Sequence, residues 1–124
     1  MTTLTRTYQI QASHWLPRTH VNHKCHNRHG HNFKIDLSVT GPMDEEYGWI
    51  VDYQFIDNIF TGAVTVPLDH KEINDVIENP TSENIASWVY QRMTSAFGQV
   101  KPELRVVSVV VRENEKSACT YQPE

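Results

Sequence analysis

The strongest constraint on this chain is a pair of period-two stretches that flank a histidine-rich loop. In residues 4–13, Leu4, Tyr8, Ile10 and Ala12 share one face, and Thr5, Thr7, Gln9 and Gln11 share the other. In residues 31–40, Phe33, Ile35, Leu37 and Val39 face one way, and Lys34, Asp36, Ser38 and Thr40 face the opposite way. Side chains alternate across a strand, so each stretch reads as a strand with one face in a core. The two are expected to pair antiparallel through a connection at residues 15–28. That connection is long for a hairpin, and long loops often carry function.

Gly41-Pro42 ends the second strand. Asp52 is placed to cap a helix whose apolar positions are Phe55, Ile56, Ile59 and Phe60, with Gly62 and Pro67 as its limits. Residues 68–80 read as loop or short helix. Thr81 is the expected N-cap of a second helix, with Glu83 in its first turn. Its buried stripe is Ile85, Trp88, Val89, Met93, Ala96 and Phe97, and Gly98 is its expected stop. Residues 104–113 form a valine-rich strand and 118–122 a short last one, joined by a turn at 114–116. The order is strand, strand, helix, helix, strand, strand. This is an α+β pattern, ββααββ, with one four-stranded antiparallel sheet and helices on one face. The other face carries Thr, Gln, Lys, Asp and Ser. Water can cover such a face, or an oligomer can turn it inward to line a barrel.

The 124 residues fit a single domain over 1–124. At 39% apolar, part of the core's covering is expected from other copies of the chain. No apolar run reaches membrane-spanning length. Met1 to Ile10 is alternating and polar, unlike a signal peptide, so a cytoplasmic location is the default expectation. Cys25 and Cys119 are then expected to stay reduced. A net charge of −4 argues against nucleic acid as a partner. The charge is unevenly spread: no carboxylate precedes Asp36, while Arg6, Arg18, Lys24, Arg28 and Lys34 and six of the seven histidines come before it. That is either chance or a cationic pocket for an anionic substrate.

His29 and His31 lie two apart at the start of the second strand, on the face of Phe33 and Ile35. His14 ends the first strand with the parity of Ile10 and Ala12. In an antiparallel pair these positions meet at one end of the sheet, under the helices. Gly30 between two of them is read as allowing close backbone approach. Three nitrogen ligands with an open fourth position describe a catalytic zinc site; a structural one would want four protein ligands. His20, His23 and His26 read as surface or substrate-facing residues. Cys25 sits in His23-Lys24-Cys25-His26-Asn27-Arg28, where cations favour the thiolate. Cys119 reads as inert. Asp69-His70 pairs a carboxylate with an imidazole. Glu113 has core-facing parity with Val107, Val109 and Val111, and so needs a partner. That partner could be a lysine, an arginine, or a ligand with paired N–H donors.

These motifs occur in a fixed order. They are Ala12-Ser13-His14; Cys25-x-x-x-His29-Gly30-His31-Asn32; Leu68-Asp69-His70; Asn79-Pro80-Thr81-Ser82-Glu83-Asn84; and Glu113. Together they resemble the 6-pyruvoyltetrahydropterin / 6-carboxytetrahydropterin synthase family over nearly the whole chain. The resemblance implies the tunnelling fold (T-fold), with trimers closing a twelve-stranded barrel and stacking into a homohexamer. It implies that His14, His29 and His31 hold Zn2+ and that Cys25 is the catalytic base, assisted by Asp69 and His70. It further implies that Glu113 anchors a pterin ring, which Thr81 and Ser82 also contact. Lys24, His23 and Arg28 are candidates for binding triphosphate. The implied substrate is 7,8-dihydroneopterin triphosphate. The three-residue spacer after Cys25 resembles the bacterial 6-carboxy-5,6,7,8-tetrahydropterin synthases, which release acetaldehyde and triphosphate and feed queuosine and other deazapurines. The alternatives are a pyruvoyl-forming synthase, which keeps the side chain intact, a non-catalytic pterin- or zinc-binding module, and an unrelated zinc hydrolase.

Overall fold

A computed structural model describes all residues, 1–124. The two alternating stretches form β1 (Thr3–His14) and β2 (His29–Thr40), antiparallel from Thr3 opposite Thr40 to His14 opposite His29. Gly41 then turns the chain inward. A Cβ there would lie 3.1 Å from Leu104 and 3.2 Å from the Glu103 carbonyl, so the close approach favours glycine. Asp52 caps α1 (Tyr53–Phe60) by accepting the Gln54 N–H at 2.9 Å. The helix does not stop at Gly62. It widens into a π-helical turn at Thr61–Thr65 and continues as α2 (Val66–Leu68), with Pro67 inside its last turn. Arg92 Nε donates to the Ala63 carbonyl at 3.0 Å, tying the widened turn to the next helix. Packing of Ala63, Val64 and Leu68 into the core outweighs the weak helix propensity of glycine.

Thr81 caps α3 (Ser82–Val100) by accepting the Asn84 N–H at 3.1 Å. Gly98 is likewise passed, and the helix ends two residues later. Ile85, Ala86, Val89, Met93 and Phe97 are buried, while Trp88 and Ala96 are partly buried against the same core. The chain closes with β3 (Arg105–Asn114) and β4 (Ser117–Tyr121). Strand order is β1-β2-β3-β4, antiparallel throughout, so β1 and β4 are the sheet's edges. The β2–β3 register shifts between Ser38 and Val39, leaving Val107 as an extra residue. This bulge puts Val106 in the core where simple alternation expects Val107; Val109 and Val111 keep the expected face. One core of 23 buried apolar residues lies between the sheet and the helices. The fold is therefore the expected α+β arrangement, with the ends of β1 and β2 meeting the N-terminus of α3.

Candidate metal centre and active site

The β1–β2 register sets His14 directly opposite His29, and His31 opposite Ala12, all on the core face. The imidazole centroids lie 4.6 Å (His14–His29), 5.2 Å (His14–His31) and 4.8 Å (His29–His31) apart. One ring nitrogen from each falls within 4.8 Å of the others. Phe33 closes the inner side, edge-on to His14 and His31 at 5.2 and 5.3 Å. A Cβ at Gly30 would meet only the Ala12 carbonyl, at an ordinary 3.8 Å, so nothing within this chain demands glycine there.

Backbone carbonyls hold two of these rings. His14 Nδ1 donates to the Pro80 carbonyl at 2.8 Å, and His29 Nδ1 donates to the Asn27 carbonyl at 2.7 Å. A proton fixed on Nδ1 leaves the lone pair on Nε2. The Nε2 atoms of His14 and His31 are buried without a hydrogen-bond partner. Buried polar atoms are almost always paired; for His14, whose proton sits on Nδ1, an electron-pair acceptor is what is missing, and His31 Nε2 is unpaired beside it. Burial pushes both imidazoles below their ordinary pKa, against weaker opposing pulls from the Pro80 carbonyl on His14 and from Glu113 on both. The neutral, ligating form is thereby favoured. The residues fit a first-row divalent cation bound by three nitrogens, with room for a further ligand.

Glu113 borders this cluster, 3.8 Å from His14 Nε2 and 3.9 Å from His31 Nε2. No lysine or arginine pairs with it. Its Oε1 accepts the Ser82 hydroxyl at 2.8 Å. Within the chain its partner is thus a serine hydroxyl, which the sequence reading did not offer, and not the lysine or arginine that it did. The Thr81 hydroxyl serves the helix cap.

Cys25 is a free, half-buried thiol on a 3-10 turn, Lys24–His26, and is not part of the metal cluster. Its carbonyl accepts the Leu16 N–H at 2.8 Å, and its N–H donates to His23 Nδ1 at 3.0 Å. Lys24 is exposed. The run of cations around it is less positive than the sequence suggests. Arg28 pairs with Glu72, and Arg18 with Glu78 at 2.6 Å, so carboxylates more than forty residues away offset two of the charges. Asp69 and His70 lie on the outer edge of β1, outside the histidine cluster. Asp69 Oδ1 accepts the Gln11 N–H at 2.9 Å, and the His70 N–H donates to the Gln11 carbonyl at 2.6 Å. His70 adopts φ +59°, its ring is 73% exposed, and its Nε2 lies 3.6 Å from Asp69 Oδ2. In this chain, then, His14, His29, His31, Glu113 and Ser82 converge, and Asp69–His70 stands apart. Pro80 and Asn27, which orient the imidazoles through main-chain oxygens, left no side-chain signal to find.

Comparison with known proteins identifies the family and the fold. A family model described as 6-pyruvoyl tetrahydropterin synthase matches residues 3–124. A 6-carboxy-5,6,7,8-tetrahydropterin synthase of Synechocystis is 32% identical over 120 residues, covering 92% of this chain and 88% of the relative. The Bacillus subtilis protein of the same name is 26% identical over 125 residues, covering 98% and 85%. Among solved structures, a 6-pyruvoyl tetrahydropterin synthase from Caenorhabditis elegans superposes with a TM-score of 0.86 at 22% identity, over 99% of this chain and 96% of that one.

Proposed function

The chain belongs to the 6-pyruvoyl tetrahydropterin synthase family, and on that premise we propose that it is a zinc-dependent 6-carboxy-5,6,7,8-tetrahydropterin synthase. The reaction takes 7,8-dihydroneopterin triphosphate and one water to 6-carboxytetrahydropterin, acetaldehyde and triphosphate, a step toward queuosine and related deazapurines. The observation that carries the reading is the trio of imidazoles with two buried, unpartnered Nε2 atoms, set beside a carboxylate.

His14, His29 and His31 would hold the zinc. When bound, the ion supplies Lewis acidity toward the oxygens of the substrate side chain. Glu113, already oriented by Ser82 through one lone pair of Oε1, offers its two oxygens to the paired N–H donors of a pterin ring. Cys25 is the base that moves protons between ring and side chain, and Asp69 with His70 assists it. Because that pair lies on an outer edge, it is assigned to the site of a neighbouring copy in a homohexamer, a dimer of trimers. Two open sheet edges and a polar outer face suit such an assembly. With Arg28 paired to Glu72, Lys24 and His23, which have no carboxylate partner, are the remaining candidates for the triphosphate.

Incubating the purified protein with 7,8-dihydroneopterin triphosphate and identifying the products tests the assignment. Acetaldehyde, read by a coupled alcohol dehydrogenase, is expected in step with triphosphate. Pyruvoyltetrahydropterin without acetaldehyde would make the protein a pyruvoyl-forming synthase. Cys25→Ala should abolish turnover, keep the metal, and change stability by less than about 1 kcal/mol. An active Cys25→Ala would remove the thiol from the mechanism and favour a hydrolase. Light scattering should give a mass near six chains.

A further inference from the structure

Residues 15–28 join two members of the histidine cluster and carry Cys25, yet none of them belongs to the buried core. A loop without a core of its own keeps its shape only through polar ties. The principal ties come from one short segment. Ile73 is 1% exposed and anchors that segment in the core. The segment also lies against β1, with a parallel bridge between Ser13 and Glu72 and with the Ser13 N–H donating to the Lys71 carbonyl at 3.1 Å. The residues on either side of Ile73 reach the two stems of the loop. Asn74 Oδ1 accepts the Trp15 N–H at 3.0 Å, and its Nδ2 donates to the Trp15 carbonyl at 2.8 Å. Both main-chain groups of the residue after His14 are thus held by one amide. The Glu72 carboxylate receives Arg28 Nε, on the residue before His29. Within the loop, the Leu16 N–H donates to the Cys25 carbonyl at 2.8 Å, which carries the placement of the first stem to the thiol.

We propose that Asn74 and Glu72 are positioning residues, a two-point brace that sets where Cys25 stands relative to the three histidines. The histidines do not depend on it, because the β1–β2 ladder pairs His14 with His29 and Ala12 with His31, and His14 has its own carbonyl partner outside the loop at Pro80. The third tie, Arg18 to Glu78, joins side chains 68% and 71% exposed and adds little. The consequence for turnover rests on the pterin synthase reading, in which the thiol must lie within reach of the reacting atoms.

The test uses the zinc-loaded oligomer with Asn74→Ala, Glu72→Gln, and the exchanged pair Arg28→Glu/Glu72→Arg. Iodoacetamide labelling, mapped by peptide mass, reads Cys25 against Cys119. Hydrogen exchange reads residues 15–28. Asn74→Ala and Glu72→Gln should each raise Cys25 labelling about tenfold and speed exchange in the loop, with Cys119 unchanged. Zinc per chain should stay at the parent value. kcat should fall about tenfold with KM within about twofold, and the exchanged pair should recover much of both effects relative to Glu72→Gln. Should Asn74→Ala fail to fold, the Glu72 and Arg28 variants, which alter a tie outside the core whose Glu72 side is only 22% exposed, carry the test alone. Unchanged labelling and exchange would overturn the brace, as would loss of zinc in step with faster labelling. Labelling and exchange need no substrate, so a parent inactive on dihydroneopterin triphosphate would sink the function reading and leave the brace still decided by them.

Discussion

β1 carries polar side chains toward the core at both of its ends, and the two ends treat them differently. At one end Arg6 and Tyr8 converge on Asp57 of α1. Arg6 donates twice, at 3.0 and 2.6 Å, and the Tyr8 hydroxyl once, at 2.7 Å. Tyr8 also stacks on Phe60 at 3.8 Å, and Arg6 lies over Tyr53. The Arg6 guanidinium holds the Asp57 carboxyl below its usual range, and burial followed by Asp57 pushes the Tyr8 phenol up. At the other end His14, with His31 beside it on β2, keeps a buried nitrogen for which the chain has no partner. Inward polarity alone marks neither end as a site. A closed set of partners is architecture, whereas a surplus lone pair asks for something the chain does not contain.

The largest effect should come at the open end. His31→Ala should reduce bound zinc from about one per chain to near none and take turnover with it, while most of the fold survives on its own apolar faces. Elemental analysis with circular dichroism checks this, and full zinc retention would break the contrast. At the closed end, Asp57→Ala should cost about 1 kcal/mol in urea unfolding, because it leaves the half-buried Tyr8 phenol without its acceptor. Zinc per folded chain should not change.

The pH dependence separates the ends further. In zinc-free protein, His14 and His31 are held below the ordinary imidazole value by burial. The unfolded chain takes up those protons more readily. Their contribution to stability is therefore complete above about pH 6.5 and lost as pH falls below that. Asp57 is also held low, so its contribution is complete above about pH 4 and lost on further acidification. Urea midpoints should fall in two steps, with Asp57→Asn removing the lower one; a single step unaffected by either site would contradict this. The smallest effect belongs to the exposed Arg18–Glu78 pair, where Arg18→Ala should stay within about 0.5 kcal/mol.

What the sequence revealed follows the range of the interactions. Alternation in β1 and β2 was enough to place His14, His29 and His31 on one face, because parity and an antiparallel hairpin are local rules. The caps at Asp52 and Thr81 were legible for the same reason. The helix stops at Gly62 and Gly98 were not, because tertiary packing overrides a glycine's propensity. Nor was the bulge at Val107, since nothing in a valine run marks which residue is extra. The pairing within the cationic loop was hidden for the same reason: Glu72 and Glu78 meet Arg28 and Arg18 only once the chain has folded back. Asn74 and Asp57 act through partners some fifty residues distant, so no spacing rule points to them.

The segment after α2 has one more effect, on how copies can join. It occupies the outward-facing main-chain groups of Gln11, Ser13 and Trp15, so a neighbouring strand can add to β1 only along residues 3–10. The opposite edge, β4, offers five residues, about 17 Å of strand. Any seam of this kind must then end short of His14. The histidines would sit at the rim of the joint, with a mouth left open for a ligand to enter after the copies have assembled.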